Sequence, residues 1–227
     1  MLIIADFRVP PEAKEQLLSF GKVLWLTQQQ TAYETISSHP DIFFCPVGDQ
    51  LIVASNLSET MIDKLEKRGI QYSAGQQAVG VRYPDTAGYN VVVTDKFLIG
   101  NINFTDKRIL EVAGNRKIIH VTQGYTRCNL IPLKNDRFIT SDKGIRKALL
   151  QYGQKVLFVS PAGIVLPGFP HGFIGGACGV WQDRLFFLGG LKNFPEGQKI
   201  RDFVSDMEII ELYDGPLFDA GGLLFIS

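Results

Sequence analysis

"DIFFCPVGDQLIVA", residues 41–54, decides how this chain is read. Two short apolar runs flank Gly48-Asp49. That pair suits a tight hairpin, because glycine accepts a left-handed backbone and aspartate can bond its own main chain. The arrangement returns in "YNVVVTDKFLIG" (89–100), "NLIPLKNDRFIT" (129–140) and "ACGVWQDRLFFLG" (177–189). The turn acids are Asp49, Asp95, Asp136 and Asp183, with spacings 95−49 = 46, 136−95 = 41 and 183−136 = 47. One such turn is commonplace, but four at a near-constant period are an internal repeat.

A helical pattern follows each hairpin. In "SETMIDKLEKRG" (58–69), "TDKRILEVAG" (105–114) and "SDKGIRKALLQYG" (141–153), Ser58, Thr105 and Ser141 stand as caps and Gly69, Gly114 and Gly153 as stops. "PEGQKIRDFVSD" predicts a less regular helix from Pro195. "KIIHV", "KVLFVS" and "MEIIEL" then read as closing strands. The unit is β-β-α-β, and four copies cover residues 39–213.

The two ends complete a fifth unit. "MLIIADF", "PPEAKEQLLSFG" and "KVLWLT" read as strand, helix and strand, a repeat without its first strand. "FDAGGLLFIS" (218–227) supplies an apolar strand with nothing after it. Pairing the two satisfies buried backbone groups and hides a terminal edge. The expected fold is therefore α/β (α+β): a five-fold pseudo-symmetric β/α-propeller of β-β-α-β repeats closed by its own termini. The expected domain is single, 1–227, with repeats at about 39–85, 86–125, 126–170 and 171–213, and a fifth from 214–227 plus 1–38. An α+β sandwich with coincidental periodicity is the alternative.

Composition narrows the function classes. Lys+Arg and Asp+Glu are both 23, and this zero net charge argues against non-specific nucleic-acid binding. The apolar start is too short for a signal peptide, and no segment is apolar for long enough to span a membrane. Three cysteines with no zinc spacing suggest reduced thiols and a cytoplasmic location. No metal or cofactor is implied; a small-molecule ligand is the expected partner.

A ring of five such units, with the ends sharing one, resembles the pentein β/α-propeller superfamily of arginine deiminases, dimethylarginine dimethylaminohydrolases, amidinotransferases and ribosome anti-association factors. "DGPLFDAGGLLFIS" (214–227) looks like the last segment of the hydrolases, and "ACGVWQDRLFFLG" like the strand after their catalytic histidine. The resemblance implies guanidino chemistry by a cysteine thiolate on the last strand. Here that strand reads Asp219-Ala220-Gly221-Gly222, with no cysteine beyond Cys178. His171, in "LPGFPHGFIGGACG", lies near the histidine position, about two residues out of register.

In such rings the start of each first strand lines the axis. That places Asp41, Asn90, Arg127, Cys128, Asn129, His171, Cys178 and Asp219 there, with Asp6 and Arg8 near by. The expected catalytic set is His171 as proton carrier with Cys128 or Cys178. The expected ligand-binding set is Asp219, Asp41, Asp6, Arg8, Asn90, Arg127 and Asn129. In "GYTRCN" (124–129), Arg127 can hold a carboxylate and lower the pKa of Cys128, or Cys128 is buried filler and Arg127 a surface partner. Cys178 and Cys45 also suit a core, and His39 and His120 suit structural roles. His171 sits on a pocket loop or on a rigid connector. Three readings stand: an axial site for a guanidino- or amide-type ligand, with a divergent hydrolase or transferase activity open; a non-catalytic interaction protein like the ribosome-binding members, working through an outer face with its axis filled by water or side chains; or a plain structural protein.

Overall fold

Each repeat folds into its own three-stranded sheet in the computed structural model, which describes residues 1–226. The N-terminal sheet holds β1 (Leu2–Asp6) and, after α1 (Pro11–Phe20), β2 (Lys22–Leu26). The first full repeat runs α2 (Pro40–Phe43), β3 (Phe44–Val47), β4 (Gln50–Val53), α3 (Glu59–Glu66) and β5 (Ser73–Ala74). The second holds β6 (Val92–Val93), β7 (Phe97–Gly100), α4 (Lys107–Ala113) and β8 (Lys117–His120). The third begins with α5 (Thr126–Asn129) and continues through β9 (Leu130–Leu133), β10 (Arg137–Thr140), α6 (Lys143–Gln151) and β11 (Lys155–Phe158). The fourth holds β12 (Cys178–Trp181), β13 (Arg184–Phe187), α7 (Gly197–Phe203) and β14 (Glu208–Glu211).

Strand β15 (Leu224–Ile226) closes the ring. It pairs antiparallel with β1 in the register Leu2–Ile226, Ile3–Phe225 and Ile4–Leu224. Every sheet repeats one plan: a middle strand bonded antiparallel to its first strand and parallel to the strand after its helix. The middle strands carry the strongest apolar runs, since both their edges are paired and both faces covered. β1 and β7 are buried throughout.

The core lies between neighbouring sheets. Ile3, Leu17 and Phe186 pack together across two of them, and Val92, Ile99, Phe138 and Leu149 across another two. Phe225 seals the joint, its ring 4.8 Å from Phe186. In three of the four repeat hairpins a left-handed residue precedes the aspartate, Gly48 (φ 60), Asn135 (φ 60) and Gln182 (φ 54), and in the third repeat Asp136 is itself left-handed (φ 54).

Two helix caps differ from expectation by one residue. Asp106 and Asp142 cap α4 and α6, accepting from the Arg108 and Ile145 amides at 2.8 Å each. The hydroxyls read as caps bond elsewhere: Thr105 Oγ1 donates to the Asn101 carbonyl and Ser141 Oγ to Asn129 Oδ1. A carboxylate is the better acceptor, so the hydroxyl is free to donate. Ser58 does precede α3 but makes no side-chain bond there. The fourth-repeat helix starts at Gly197, not Pro195. Among the described residues no helix is long and apolar enough to cross a membrane.

Candidate functional site

Five short segments, each just before a first strand, meet about the axis. They contain Asp41 in α2, Asn90 before β6, Cys128 in α5, the turn Gly175–Ala177 before β12, and residues 219–222 before β15. Main-chain bonds join them into two groups, and the Asn90 and Cys128 side chains, both bonded to Asp41, tie the groups into one plug. The Asp41 amide donates to the Gly221 carbonyl, those of Thr126 and Arg127 to Asn90, and those of Ala220 and Gly222 to Gly176. Such close approach needs glycine. A Cβ at Gly176 would overlap Asp219 Oδ1, and Gly221 has φ +68 with the His39 side chain against it.

On one side of the plug is a cavity of ≈ 110 Å³. Cys128, His171 and Asp219 line it together, brought from three separate parts of the chain. Its walls are Tyr33, Tyr125, Phe169 and Phe173 with smaller aliphatic side chains. A second cavity of ≈ 320 Å³ adjoins it, sharing His39, Leu166 and Asp219 and reaching Asp6 and Arg8.

Behind Cys128 lies a buried polar triad. Cys128 Sγ donates to Asp41 Oδ2 at 2.8 Å and accepts from Asn90 Nδ2 at 3.2 Å. Asn90 Oδ1 takes the Cys128 amide, and its Nδ2 also donates to the Asp41 carbonyl. Asn90 is thereby fully used in positioning, not free to bind. Asp41 Oδ1 is buried without any hydrogen-bond partner. Burial raises the Asp41 carboxyl to about 7, against the smaller opposing effects of the Cys128 and Asn90 bonds and the Arg127 charge.

Asp219 accepts the Phe173 amide at 2.8 Å and the Gly221 amide at 3.1 Å. Burial lifts it to about 6, although those two bonds pull it down. Neither Asp41 nor Asp219 has an ion-pair partner among the described residues. Two neighbouring buried carboxylates therefore stand without a cation in contact.

Several expected site residues take other roles. Cys128 is not activated: burial, then the Asp41 charge, pushes its thiol well above the ordinary value, the reverse of the lowering expected from Arg127. Arg127 points to the other side of the plug, where its side chain makes one long bond to the Leu223 carbonyl at 3.4 Å. Cys178 lies on that far side too, buried, with its thiol pushed up to about 12, so it is no partner for His171. Asn129 is spent on structure, donating to the Tyr125 carbonyl and accepting from Ser141 Oγ. Asp6 and Arg8 hold each other at 2.7 Å, and Arg8 also grips the Glu34 and Thr35 carbonyls. They form a clamp at the edge of the second cavity.

His39, expected to be structural, lines both cavities. Burial, aided by the Arg8 charge, pushes it down to about 3, so it is neutral beside Asp6. Cys45 is core, as its apolar neighbours suggested, and burial lifts its thiol to about 12. The aromatic walls were missed in the sequence, although Phe169 and Phe173 flank His171 in "GFPHGF" and Tyr125 stands in "GYTRCN". Tyr33, in a polar stretch, carried no signal.

With every thiol held protonated, native protein at pH 7 is expected to react with iodoacetamide about 100-fold or more slowly than free cysteine. A fast-reacting thiol in a mass-spectrometric time course would contradict this electrostatic account of Cys128.

Comparison with known proteins bears on the fold. The chain superposes on DDAH from Pseudomonas aeruginosa, a cysteine-to-serine mutant complexed with citrulline, with TM-score 0.57, 8% identity, and 92% and 91% of the two chains covered. The amidinotransferase SxtG from Microseira wollei gives 0.57 at 11% identity, covering 100% and 94%. An agmatine deiminase from C. jejuni gives 0.56 at 12%, covering 93% and 74%. These are pentein proteins, and the shared feature is the fold. No curated protein matches the sequence. One family model, described as a family of unknown function (DUF6873), matches residues 4–224.

Proposed function

We propose, for a chain that belongs to the DUF6873 family and has the pentein fold, that the axial cavity binds a small ligand with a planar cationic guanidino head or a related amide. The observation that carries this reading is a pair of buried carboxylates without a cation in contact, Asp219 lining an aromatic-walled cavity and Asp41 behind Cys128 in its wall. A guanidinium offers planar donors to carboxylates and a flat face to aromatic rings. The structural neighbours named for citrulline and agmatine agree with that ligand class.

A thermal-shift and calorimetric panel of arginine, agmatine, citrulline and methylarginines tests it. A bound cation favours ionised carboxylates, so affinity for a cationic ligand should rise with pH between about 5 and 8 and protons should be released. Asp219→Asn should weaken such binding about tenfold or more. If no member of the panel binds at any pH, the reading fails.

Cys128 Sγ lines the cavity and bonds Asp41 Oδ2, which supports a second, covalent reading in which a bound cationic ligand activates a thiol held protonated without it. The proton would pass to Asp41, sulfur would bond the ligand's central carbon, and an amine would leave with a proton from His171. Intact-mass detection of a Cys128 adduct, absent in Cys128→Ser, tests that step. Ligand turnover undiminished in Cys128→Ser, or binding without any adduct, rejects it.

A further inference from the structure

The far side of the axial plug opens into a separate cavity of ≈ 170 Å³. All five first strands contribute to it, through residues such as Pro46, Val91, Ile131, Val180 and Phe225. Apart from Arg127 its lining side chains are apolar, main-chain groups and the guanidinium supply its polar surface, and among the described residues Arg127 is the one charged side chain in it. Arg127 and Cys128 are adjacent in α5 yet serve opposite sides, because neighbouring residues of a helical turn point about 100° apart.

The Arg127 guanidinium is under-used. Its side chain makes a single hydrogen bond, to the Leu223 carbonyl, and no ion pair among the described residues. A planar fork of five donors with one long bond, set in an apolar cup, suits a planar anion of single charge. A carboxylate fits that fork bidentately, and the surrounding valine, isoleucine and phenylalanine side chains suit an apolar tail. A phosphate, more strongly hydrated and of higher charge, would find only one cation here.

We infer that this mouth is a second binding site, distinct from the axial cavity at Asp219, for a small monocarboxylate with a short alkyl or aryl tail, held head-on by Arg127. The site is independent of the guanidino reading and stands whether or not that ligand binds.

Titration of full-length protein with propionate, butyrate, hexanoate and benzoate, followed by NMR, tests the assignment. The alcohols of matching tail serve as controls. Saturable binding is expected for the acids and at least tenfold weaker binding for the alcohols. Arg127→Met should weaken the acids by about tenfold or more, and Arg127→Lys by less. Val180→Phe narrows the cup without touching the guanidinium, and it should weaken the longer acids even if Arg127→Met fails to fold. Equal affinity for acids and alcohols, affinity unchanged in both variants, or no saturable binding by any acid would overturn the inference. A dimer that buries this mouth and is abolished by Arg127→Glu, with no acid bound, would also overturn it and assign the face to a second copy.

Discussion

Removing residues 223–227 is expected to abolish cooperative unfolding. Leu223 and Leu224 are almost fully buried, and Phe225 packs against Phe186 at 4.8 Å and Trp181 at 6.0 Å. Each fully buried leucine contributes about 1.5–3 kcal/mol, so Leu223 and Leu224 with the half-buried Phe225 approach ~5 kcal/mol before any strand pairing is counted. A domain of this kind has only about 5–15 kcal/mol in total. The truncation also bares the β1 edge from Leu2 to Ile4, an apolar strand prone to pair with other chains. Circular dichroism melts should lose their sigmoidal transition, and light scattering should rise. A truncated protein that melts cooperatively within a few degrees of the full chain would show that ring closure is dispensable.

Asp41→Asn is expected to be nearly neutral near pH 4 and stabilising near pH 8. The folded state holds the Asp41 proton up to about 7, whereas an unfolded aspartate releases it near 4. Stability from that group is present in full below the unfolded value and is lost as pH rises through the folded one. Between pH 4 and pH 8 the wild type should fall behind the variant by about 4 kcal/mol. Asp219, raised to about 6, and Cys128 and Arg127 face the same centre, and His39, depressed to about 3, works in the opposite direction. All four remain in the variant, so the difference between the two urea-unfolding curves reports Asp41 together with its coupling to Asp219 and Cys128. A difference that does not change between pH 4 and pH 8 would refute the raised carboxyl.

The architecture was legible because its signals are local. Hairpin aspartates, apolar runs of strand length and glycine-ended helices each act within a few residues, and their period multiplied them into a ring. Even the closure of Leu2–Ile4 on Leu224–Ile226 could be read, since each end was an incomplete copy of a unit seen entire elsewhere. The misplaced caps mark the limit of that reasoning. Thr105 and Ser141 are good capping residues, and only distant partners in the folded chain drew their hydroxyls away.

The site divides along the same line. The sequence by itself pointed Asp41, Asn90, Cys128 and Asp219 to the axis, because each precedes a first strand, but not His39 or the aromatic walls, and it misplaced Asn129. It did not determine which side of the axis each side chain faces. Cys128 joins His171 and Asp219 in one cavity, while Arg127, one residue earlier, and Cys178 open on the other. That partition is set by the plug, in which turns from all five repeats are tied together by main-chain bonds and by the Asn90 and Cys128 side chains on Asp41. A side chain's direction there depends on how its turn meets its neighbours from remote parts of the chain. Burial follows from the same meeting, and with it the raised Asp41 and Asp219 carboxyls and the protonated Cys128 thiol. Periodicity is written along the chain, but the field at the axis exists only once five turns have closed around it.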